Sequence, residues 1–513
     1  MANSKTYQRP NIFRRITVAL VHLAGLGIDE YRAAPTWAAR NYSDSSPVSK
    51  LVHLIIWAVK TFVVTIPNGL ANVTFEKTTD QISYWLSADN PLYNHPWSDQ
   101  PNAPLPTEAD VVVIGAGFTG SACAYHWSTQ NTGKMVVLEM NEAASGASGR
   151  NEGVVVMGRF FSYVKKMMSL NLSSTRKDLS DPQRSEMAKK FARAYVGAAY
   201  RNADMIEQTI KNEGFEVEYA RNGWVQGDFA SQPGYLSQSV KESADEGFAD
   251  WIGIEGARAE DLTGIPTGND VVVGYSQKAA TWHPAKWVWS LLSKAVSSDS
   301  VSFFSRTRVW KVIDEGDRYA VQTTRGTIHA RYVINATESY TAKLHPIFHS
   351  KLSAIQTHAA FAEGGPDAMK QDMGMGGPNS WFGKHPSGVI MGTGATHVPP
   401  SQAGVIKQSR FLTSFCISEI QNIFGNSRMH VTREWSCTAG FTDDEFPIVG
   451  LIDGKRQYII AGMCGSGSGV HFNGARHVIS KILGLNGPDD YPEEFFSPTR
   501  ILDPTNHCWP TTD

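Results

Sequence analysis

A glycine-rich turn between two apolar strands constrains this chain more than any other feature. Residues 110–114 read DVVVI, the turn GAGFTG occupies residues 115–120, a helical stretch follows, and residues 135–139 read MVVLE. Strand, glycine turn, helix and second strand in this order predict a Rossmann-type α/β domain. The pattern therefore predicts a dinucleotide-binding site at the turn.

Each glycine of the turn has a separate physical role. Gly115 permits the tight turn, Gly117 lets the backbone approach a pyrophosphate, and Gly120 allows the helix to pack closely on the strand. The phosphates then lie at the helix N-terminus. Glu139 ends the second strand, where a carboxylate accepts hydrogen bonds from ribose hydroxyls and repels a 2′-phosphate, so the spacing disfavours NADP. The contacts predicted in this unit are Gly115, Gly117, Phe118, Thr119, Gly120 and Glu139.

Composition excludes several other classes of protein. The 513 residues are 42% hydrophobic and 19% charged, which is typical of a folded chain of one extended or two interleaved domains. The net charge of -2 leaves no general basic surface, so nucleic acid is not an expected partner. Five cysteines form no CxxC pair, so neither a disulfide framework nor a metal site is predicted and a reducing, intracellular compartment is expected.

The first hundred residues differ from the rest. Residues 16–28 and 51–66 are apolar but shorter than the roughly 20 residues that a bilayer core requires. Basic residues precede the first of them without an acid before Asp29, a bias seen in membrane-surface anchors and organelle transit peptides. Three interpretations stay open, namely a packed helical extension, association with a membrane surface, and a cleaved targeting peptide. The location within the cell is left undecided among them. The proline-rich residues 90–106 predict a linker or extended arm.

A loop of small residues follows the acidic end of the second strand. Residues 144–153 read ASGASGRNEG and offer many backbone donors together with the guanidinium of Arg150. This run resembles the GASGRNGG segment of FAD-dependent oxidoreductases of the D-amino-acid oxidase, glycine oxidase and sarcosine oxidase group. The resemblance implies that the loop lies along the FAD pyrophosphate and beside the flavin.

Three further segments resemble the same family and occur in family order. Residues 305–337 predict a β-meander whose end resembles the VVxATG motif, with Glu338 in place of the usual glycine. Residues 457–469 (QYIIAGMCGSGSG) resemble the flavin-closing GxxGHG motif, and the arm at residues 85–96 resembles that of fungal-type members. The resemblance covers residues 110–485. It implies further FAD contacts at Ser145, Ser148, Arg150, Asn151, Gly153, Val309, Ala336, Thr337, Gly462, Gly465 and Gly467.

The family resemblance implies two interleaved domains behind the apolar extension. One is the Rossmann-type FAD-binding domain, and the other is an α+β substrate domain with an antiparallel sheet. The predicted segments are the extension and arm at 1–106, FAD-binding parts at 107–160, 276–345 and 441–513, and substrate-domain parts at 161–275 and 346–440.

The substrate side is less well defined by the sequence. The pocket candidates are His358, Trp381 and His397, although a strand histidine or tryptophan is more often a core residue. Cys437 stands five residues before Thr442, where the sarcosine oxidase and fructosyl-amino-acid oxidase branches carry the flavin through a thioether. The resemblance therefore makes Cys437 the candidate for covalent FAD, and the alternative is a small buried thiol that only packs.

Two departures from that branch bear on substrate and acceptor. Gly469 stands where the branch has a lysine that anchors a substrate carboxylate, so an amine without a carboxyl group becomes a plausible substrate. Ile390 aligns with a lysine that assists the reaction with oxygen, which places oxidase activity in doubt.

The resulting functional prediction is oxidation of the C–N bond of an amine or amino-acid derivative to an imine, by hydride transfer to FAD with oxygen as acceptor. One alternative is a membrane-associated dehydrogenase that reduces a quinone or carrier protein. Another is a nicotinamide-dependent dehydrogenase with the same glycine turn, and a third is a non-catalytic flavoprotein that serves as a scaffold or assembly factor.

Overall fold

The structure is a computed structural model. It describes residues 11–24, 46–130, 132–155, 159–227, 235–266, 273–377, 379–485 and 491–510. Two of the basic residues that precede the first apolar stretch, Lys5 and Arg9, lie outside the described residues, as does the end of that stretch, residues 25–28.

Strands and helices alternate through the described part of the chain. The strands are β1 Val73–Asp80, β2 Glu108–Ile114, β3 Met135–Leu138, β4 Val154–Val155, β5 Trp224–Gly227, β6 Trp251–Ile254, β7 Val273–Ser276, β8 Ala280–Thr281, β9 Val301–Phe304, β10 Val309–Asp314, β11 Tyr319–Thr323, β12 Gly326–Asn335, β13 Leu352–Gly364, β14 Gly374–Gly376, β15 Ser380–His385, β16 Gly388–Val398, β17 Met429–Thr442, β18 Ile448–Leu451 and β19 Gln457–Ala461. The α-helices are Ile12–Ala24, Pro47–Val59, Ile66–Gly69, Phe118–Ser128, Phe161–Thr175, Asp181–Glu213, Tyr235–Asp245, Gly256–Thr263, Pro284–Val296, Thr341–Leu344, Arg410–Phe424, His471–Leu483, Glu493–Phe496 and Thr499–Leu502.

The first large sheet contains the glycine turn. Its centre is parallel in the order β19-β12-β2-β3-β9, with β18 antiparallel to β19 and the meander β10-β11-β12 extending from the other half of β12. Helices Phe118–Ser128, Pro284–Val296 and His471–Leu483 cover one face, where Val111 and Val113 are buried. The meander covers the other face. Burial on both faces explains the unbroken apolar runs of β2 and β3.

The second large sheet has nine strands in the order β1-β17-β13-β16-β15-β14-β5-β7-β6. Most pairs are antiparallel, while β1 with β17 and β14 with β5 are parallel. Helix Arg410–Phe424 packs on one face through Cys416, Ile417 and Ile420. Strands of this sheet come from both sides of the meander in the sequence, so the two predicted domains are interleaved as an α/β fold.

The N-terminal extension is helical, and it also contributes to the second sheet. Phe62 stacks on Phe411 with ring centroids 5.3 Å apart, and Ile66 is fully buried in the same cluster. The chain then enters β1, which pairs in parallel with β17 and so forms the edge of the second sheet. The sequence did not predict this strand, because VTFEKTTD is short and mostly polar.

Asn202 on the long helix Asp181–Glu213 contacts the turn and helix that follow β19 of the first sheet. The buried Asn202 accepts hydrogen bonds from the N–H groups of Phe472 and Asn473 at 2.9 and 3.1 Å, and its amide donates to Ser468 O at 2.8 Å. It therefore satisfies donors at the start of helix His471–Leu483. The turn before that helix is held in place by the same contacts.

Candidate functional site

A cavity of about 630 Å³ lies where the two large sheets meet. The carboxyl ends of β2, β3 and β12 open into it, as expected for ligand binding in a parallel sheet. The opposite wall comes from the second sheet, through Thr357, Trp381 and Cys437. The cavity therefore connects the predicted dinucleotide site with the predicted substrate domain.

Most of the predicted cofactor residues meet in this cavity. Those that line it are Gly115, Gly117, Phe118, Thr119, Glu139, Ser145, Ser148, Arg150, Asn151, Val309, Ala336, Thr337, Gly465 and Gly467. Cys437 and Trp381 also line it.

Three predicted glycines lie outside the lining and act through packing instead. A Cβ on Gly120 would lie 1.8 Å from Gly115 O, so only glycine allows the helix to begin this close to the strand. Gly153 and Gly462 both have positive φ values of 75° and 65°. A Cβ on Gly153 would lie 2.3 Å from the Trp85 ring, and a Cβ on Gly462 would lie 2.6 Å from Thr442.

Two of the pocket candidates are also placed away from the cavity. His358 is buried in β13, where its Nε2 bonds Thr413 Oγ1 at 2.8 Å and burial lowers its pKa to about 4. His397 is exposed near the end of β16. Of the three candidates, the structure brings Trp381 to the cavity.

The glycine turn presents backbone donors to the cavity. Gly117 is the N-cap of helix Phe118–Ser128 and has no side-chain cap, so the first amide groups of the helix are not satisfied from within the turn. A Cβ on Gly117 would lie 2.7 Å from Ser148 Oγ, and that hydroxyl accepts the N–H of Phe118 at 2.9 Å. The positive end of the helix and the small-residue loop thus form a cradle for an anion.

Glu139 is fixed by the backbone around it. One carboxylate oxygen accepts the N–H of Ala116 at 2.9 Å, and the other accepts the N–H of Asn141 at 2.9 Å. Burial raises its pKa, while the two N–H donors oppose that shift by stabilising the charged form. Both oxygens keep lone pairs that a ribose hydroxyl can reach.

The loop after Glu139 is held rigidly by its own side chains and by the arm. Asn151 donates to Ala147 O and Ser148 O and accepts the N–H of Gly153 at 2.8 Å. The indole of Trp85 donates to Asn151 O at 2.8 Å, which ties the arm to the loop. The Arg150 side chain donates to Ser145 O at 2.8 Å.

Cys437 lies on β17 and lines the cavity together with Arg150 of the small-residue loop. Its Sγ is 3.1 Å from Thr357 Oγ1 on the neighbouring strand β13. Burial raises the pKa of the thiol, although the Arg150 guanidinium acts in the opposite direction. The structure therefore brings the predicted thiol to the predicted cofactor loop.

The structure explains how a glutamate, Glu338, is accommodated where the family usually has glycine. Its φ is 46°, the conformation that glycine adopts easily, and the carboxylate accepts the N–H groups of Gly440 at 2.9 Å and Met463 at 3.3 Å. Burial raises its pKa to about 7. The side chain thus joins β12, β17 and the loop after β19 at the cavity wall.

Several lining residues were not predicted as site residues. They include Glu152, Arg308, Tyr340, Lys343, Thr357, Thr438, Phe441, Met463 and His471. His471 is neutral, because burial lowers its pKa to about 4 and its Nε2 accepts the indole N–H of Trp287 at 3.1 Å. Glu152 and Met463 lie within the glycine-rich motifs but not at the motif's own positions, and the others come from segments without such a motif, so local sequence did not single them out.

The cavity fits FAD by the chemistry of its walls. The glycine turn and Ser148 would hold the pyrophosphate, and Glu139 would accept from the adenosine ribose. The opposite end, with Arg150, Trp381 and Cys437, would take the isoalloxazine ring. A side chain on Gly115 would lie 2.5 Å from Ala336 O, so the close approach of β2 and β12 at this point requires glycine.

Comparison with known proteins identifies the family of this chain. Residues 110–480 match the family DAO, FAD dependent oxidoreductase, and the chain belongs to that family. FAD is therefore the cofactor, which replaces the nicotinamide alternative.

Among curated relatives, the chain is 25% identical over 245 residues to 4-methylaminobutanoate oxidase (formaldehyde-forming) of Paenarthrobacter nicotinovorans, covering 47% of this chain and 26% of that protein. It is 23% identical over 262 residues to the mitochondrial pyruvate dehydrogenase phosphatase regulatory subunit of Mus musculus, covering 47% and 24%. The matched segments span about a quarter of these relatives.

Solved structures share the fold. Glycine oxidase from Geobacillus kaustophilus superposes with a TM-score of 0.60 at 13% identity, covering 79% of this chain and 100% of that one. L-proline dehydrogenase from P. horikoshii superposes with a TM-score of 0.62 at 16% identity, covering 77% and 98%.

The contacts of Glu139 predict a loss of cofactor affinity on substitution. In a Cys437→Ala background, Glu139→Gln should weaken FAD binding roughly 10- to 100-fold, since hydrogen bonds to a charged group contribute about 1.5–3 kcal/mol. Titration of the apoprotein with FAD measures the change. Glu186→Gln, on the exposed face of the long helix, is the matched control; equal loss in both variants would contradict the role of Glu139.

Proposed function

We propose that this protein oxidises the C–N bond of a primary or secondary amine to an imine, with oxygen as the electron acceptor. The observation that carries the proposal is the single cavity that joins the FAD cradle to the wall of the second sheet. The names of the relatives support it: 4-methylaminobutanoate oxidase, glycine oxidase and L-proline dehydrogenase all act on compounds that contain a C–N bond.

FAD supplies the acceptor for the two electrons and the proton of the substrate C–H bond. The protein's own residues orient the substrate and exclude water. Trp381 is fixed against Gly392, where a Cβ would lie 2.0 Å from the indole, and Phe441 and Met463 add apolar surface to the lining. A desolvated pocket of this kind favours the neutral form of an amine, which is the form that loses hydride.

The polar groups favour an amine without a carboxyl group. Gly469 stands where the related branch has a carboxylate-binding lysine, and it offers no charge. Arg150 is the cation beside Cys437, but its guanidinium already donates to Ser145 O. A monoamine or an N-methylated amine is therefore the proposed substrate class.

A quinone or carrier protein is the second candidate acceptor. The observation in its favour is the apolar outer face of the N-terminal extension, together with Ile390, which is buried in β16 and brings no charge to the site. Helices Pro47–Val59 and Ile66–Gly69 are joined by the π-helical turn Lys60–Thr65 into one helical segment of 23 residues. This segment is long and apolar enough to cross a membrane, yet its end is packed on Phe411. We therefore propose that the extension lies on a membrane surface.

The amine proposal predicts a direct change in colour. Under anaerobic conditions a panel of butylamine, N-methylbutylamine, benzylamine and 4-methylaminobutanoate should include at least one compound that bleaches the flavin band near ~450 nm. Peroxide formed on admission of air would support oxygen as acceptor, whereas reoxidation only by a soluble quinone would support the second candidate. A flavin that no amine bleaches would support a non-catalytic scaffold and contradict the proposal.

We also propose that Cys437 carries FAD through a thioether, because Cys437 lines the end of the cavity where the isoalloxazine ring would lie. After acid precipitation, the yellow colour should stay with the wild-type pellet and move to the supernatant in Cys437→Ala. Cys416→Ala, which removes a buried thiol from the far side of the second sheet, is the control and should keep the colour in the pellet. Colour in the wild-type supernatant would remove this role.

Membrane association is tested by sedimentation with vesicles of phosphatidylcholine and phosphatidylserine. The exposed residues Val52 and Ile56 are 48% and 56% accessible on the outer face of the extension. The double variant Val52→Asp/Ile56→Asp should lower the bound fraction roughly tenfold or more, because charged side chains do not enter the acyl boundary. Leu170→Asp, an equally exposed apolar site elsewhere, should leave binding unchanged; loss in both variants would contradict a specific surface.

A further inference from the structure

Three partly buried carboxyl groups line the cavity, and they differ in which hydrogen-bond donors they accept from. Glu139 accepts two backbone N–H groups, and Glu338 accepts those of Gly440 and Met463. Glu152 differs from both, because its Oε2 is buried and has no hydrogen-bond partner among the described residues. An unsatisfied carboxylate oxygen in such a place costs free energy unless a ligand completes it.

The cations of the cavity do not serve as partners for Glu152. Arg150, Arg308 and Lys343 line the same cavity, but none of them donates to Glu152 Oε2. Burial raises the pKa of Glu152 to about 8. His471 is neutral and its two ring nitrogens are already hydrogen-bonded to Gly467 and Trp287. A positive charge is thus missing next to this carboxyl group in the described structure.

The position of Glu152 is fixed by its neighbours. Asn151 and Gly153 on either side are joined by a hydrogen bond of 2.8 Å, and Trp85 holds Asn151 from the arm. Gly153 leads into β4, which pairs with β8. The GASGRNGG motif that this loop resembles has glycine at this place, so the carboxyl group is a feature of this chain.

We propose that Glu152 binds the nitrogen of the amine substrate by pairing its carboxylate with an N–H of the ammonium group, and that the carboxylate then takes the ammonium proton, which leaves the neutral amine that loses hydride. The inference rests on the proposed function and adds to it the residue that recognises the amine. A cationic or N–H-bearing ligand supplies the donor and the positive charge that Oε2 lacks. The same contact discriminates against neutral molecules of similar shape, since they leave the buried carboxylate unpaired.

The test uses the FAD-loaded protein and a pair of probes that cannot be oxidised to an imine. tert-Butylammonium has no hydrogen on its α-carbon, and tert-butanol is a neutral molecule of nearly the same shape. Each is titrated at about one pH unit above the pKa of about 8, while the flavin spectrum reports binding. Wild-type protein should bind the cation, and Glu152→Gln should weaken that binding at least tenfold without changing the response to tert-butanol.

Two further variants separate recognition from folding. Glu152→Asp keeps the charge on a shorter side chain. Its affinity for tert-butylammonium should lie between the affinities of the wild type and of Glu152→Gln. Glu186→Gln removes an exposed carboxylate and should behave as wild type. All variants should keep the flavin spectrum and the melting temperature of the wild type; if Glu152→Gln does not fold, the comparison of Glu152→Asp with wild type decides.

The outcomes distinguish this inference from the proposed function. Equal affinity of wild type and Glu152→Gln for tert-butylammonium overturns the inference, whether or not amines bleach the flavin. Weaker FAD binding with unchanged cation binding also overturns it, because Glu152 would then serve the cofactor. If the cation binds through Glu152 but no amine of the panel bleaches the flavin, the recognition role stands and the oxidation proposal fails. For an amine that does bleach it, Glu152→Gln should raise the apparent dissociation constant more than it lowers the rate of reduction.

Discussion

The close approach of three backbone segments at the glycine turn is the constraint on which the structure depends. Gly120 must lie against Gly115 O, and Gly115 must lie against Ala336 O, at distances that no side chain permits. The first contact places the helix N-terminus at the end of β2, and the second brings β12 beside it. Because the chain passes from β12 through helix Thr341–Leu344 into β13 of the second sheet, the turn also helps to set where the two sheets meet and hence where the cavity lies.

The electrostatics of the cavity follow from how each buried carboxyl group is solvated. Backbone amides replace water around Glu139 and Glu338, and these amides belong to segments that must be correctly placed for the site to exist. The charge states of Glu139 and Glu338 therefore depend on the geometry of the backbone segments that donate to them. Glu152 has no such amides, so its protonation state depends on the ligand that enters the cavity.

Short sequence motifs predicted the part of the site that is formed by residues close together in the sequence. The turn at residues 115–120, Glu139 and the loop of Ser148 and Arg150 depend on short spacings, and all contribute to the cavity. The second sheet is different, because a strand side chain reaches one face or the other according to register, and register is set by distant partners. Trp381 and Cys437 therefore point to the cavity, while His358 on β13 and His397 on β16 do not line it.

Strand β1 and Glu152 show two other limits of the sequence. A short polar strand carries little periodic signal, and β1 exists because the edge of β17 is available to pair with it. The sequence shows Glu152 within a known motif, but only the three-dimensional structure shows that its Oε2 lacks a hydrogen-bond partner among the described residues. Neither spacing nor composition contains that information.

The packing of the N-terminal extension on helix Arg410–Phe424 has a consequence for synthesis on the ribosome. Phe62 precedes its partner Phe411 by about 350 residues, so at about 5–20 residues per second it is complete roughly 20–70 s before that partner exists. β1 likewise precedes β17, the strand with which it pairs, by most of the chain's length. During this interval the apolar N-terminal helices of the growing chain have no partner helix to pack on. A lipid surface or a chaperone would therefore bind them before the flavin site has formed.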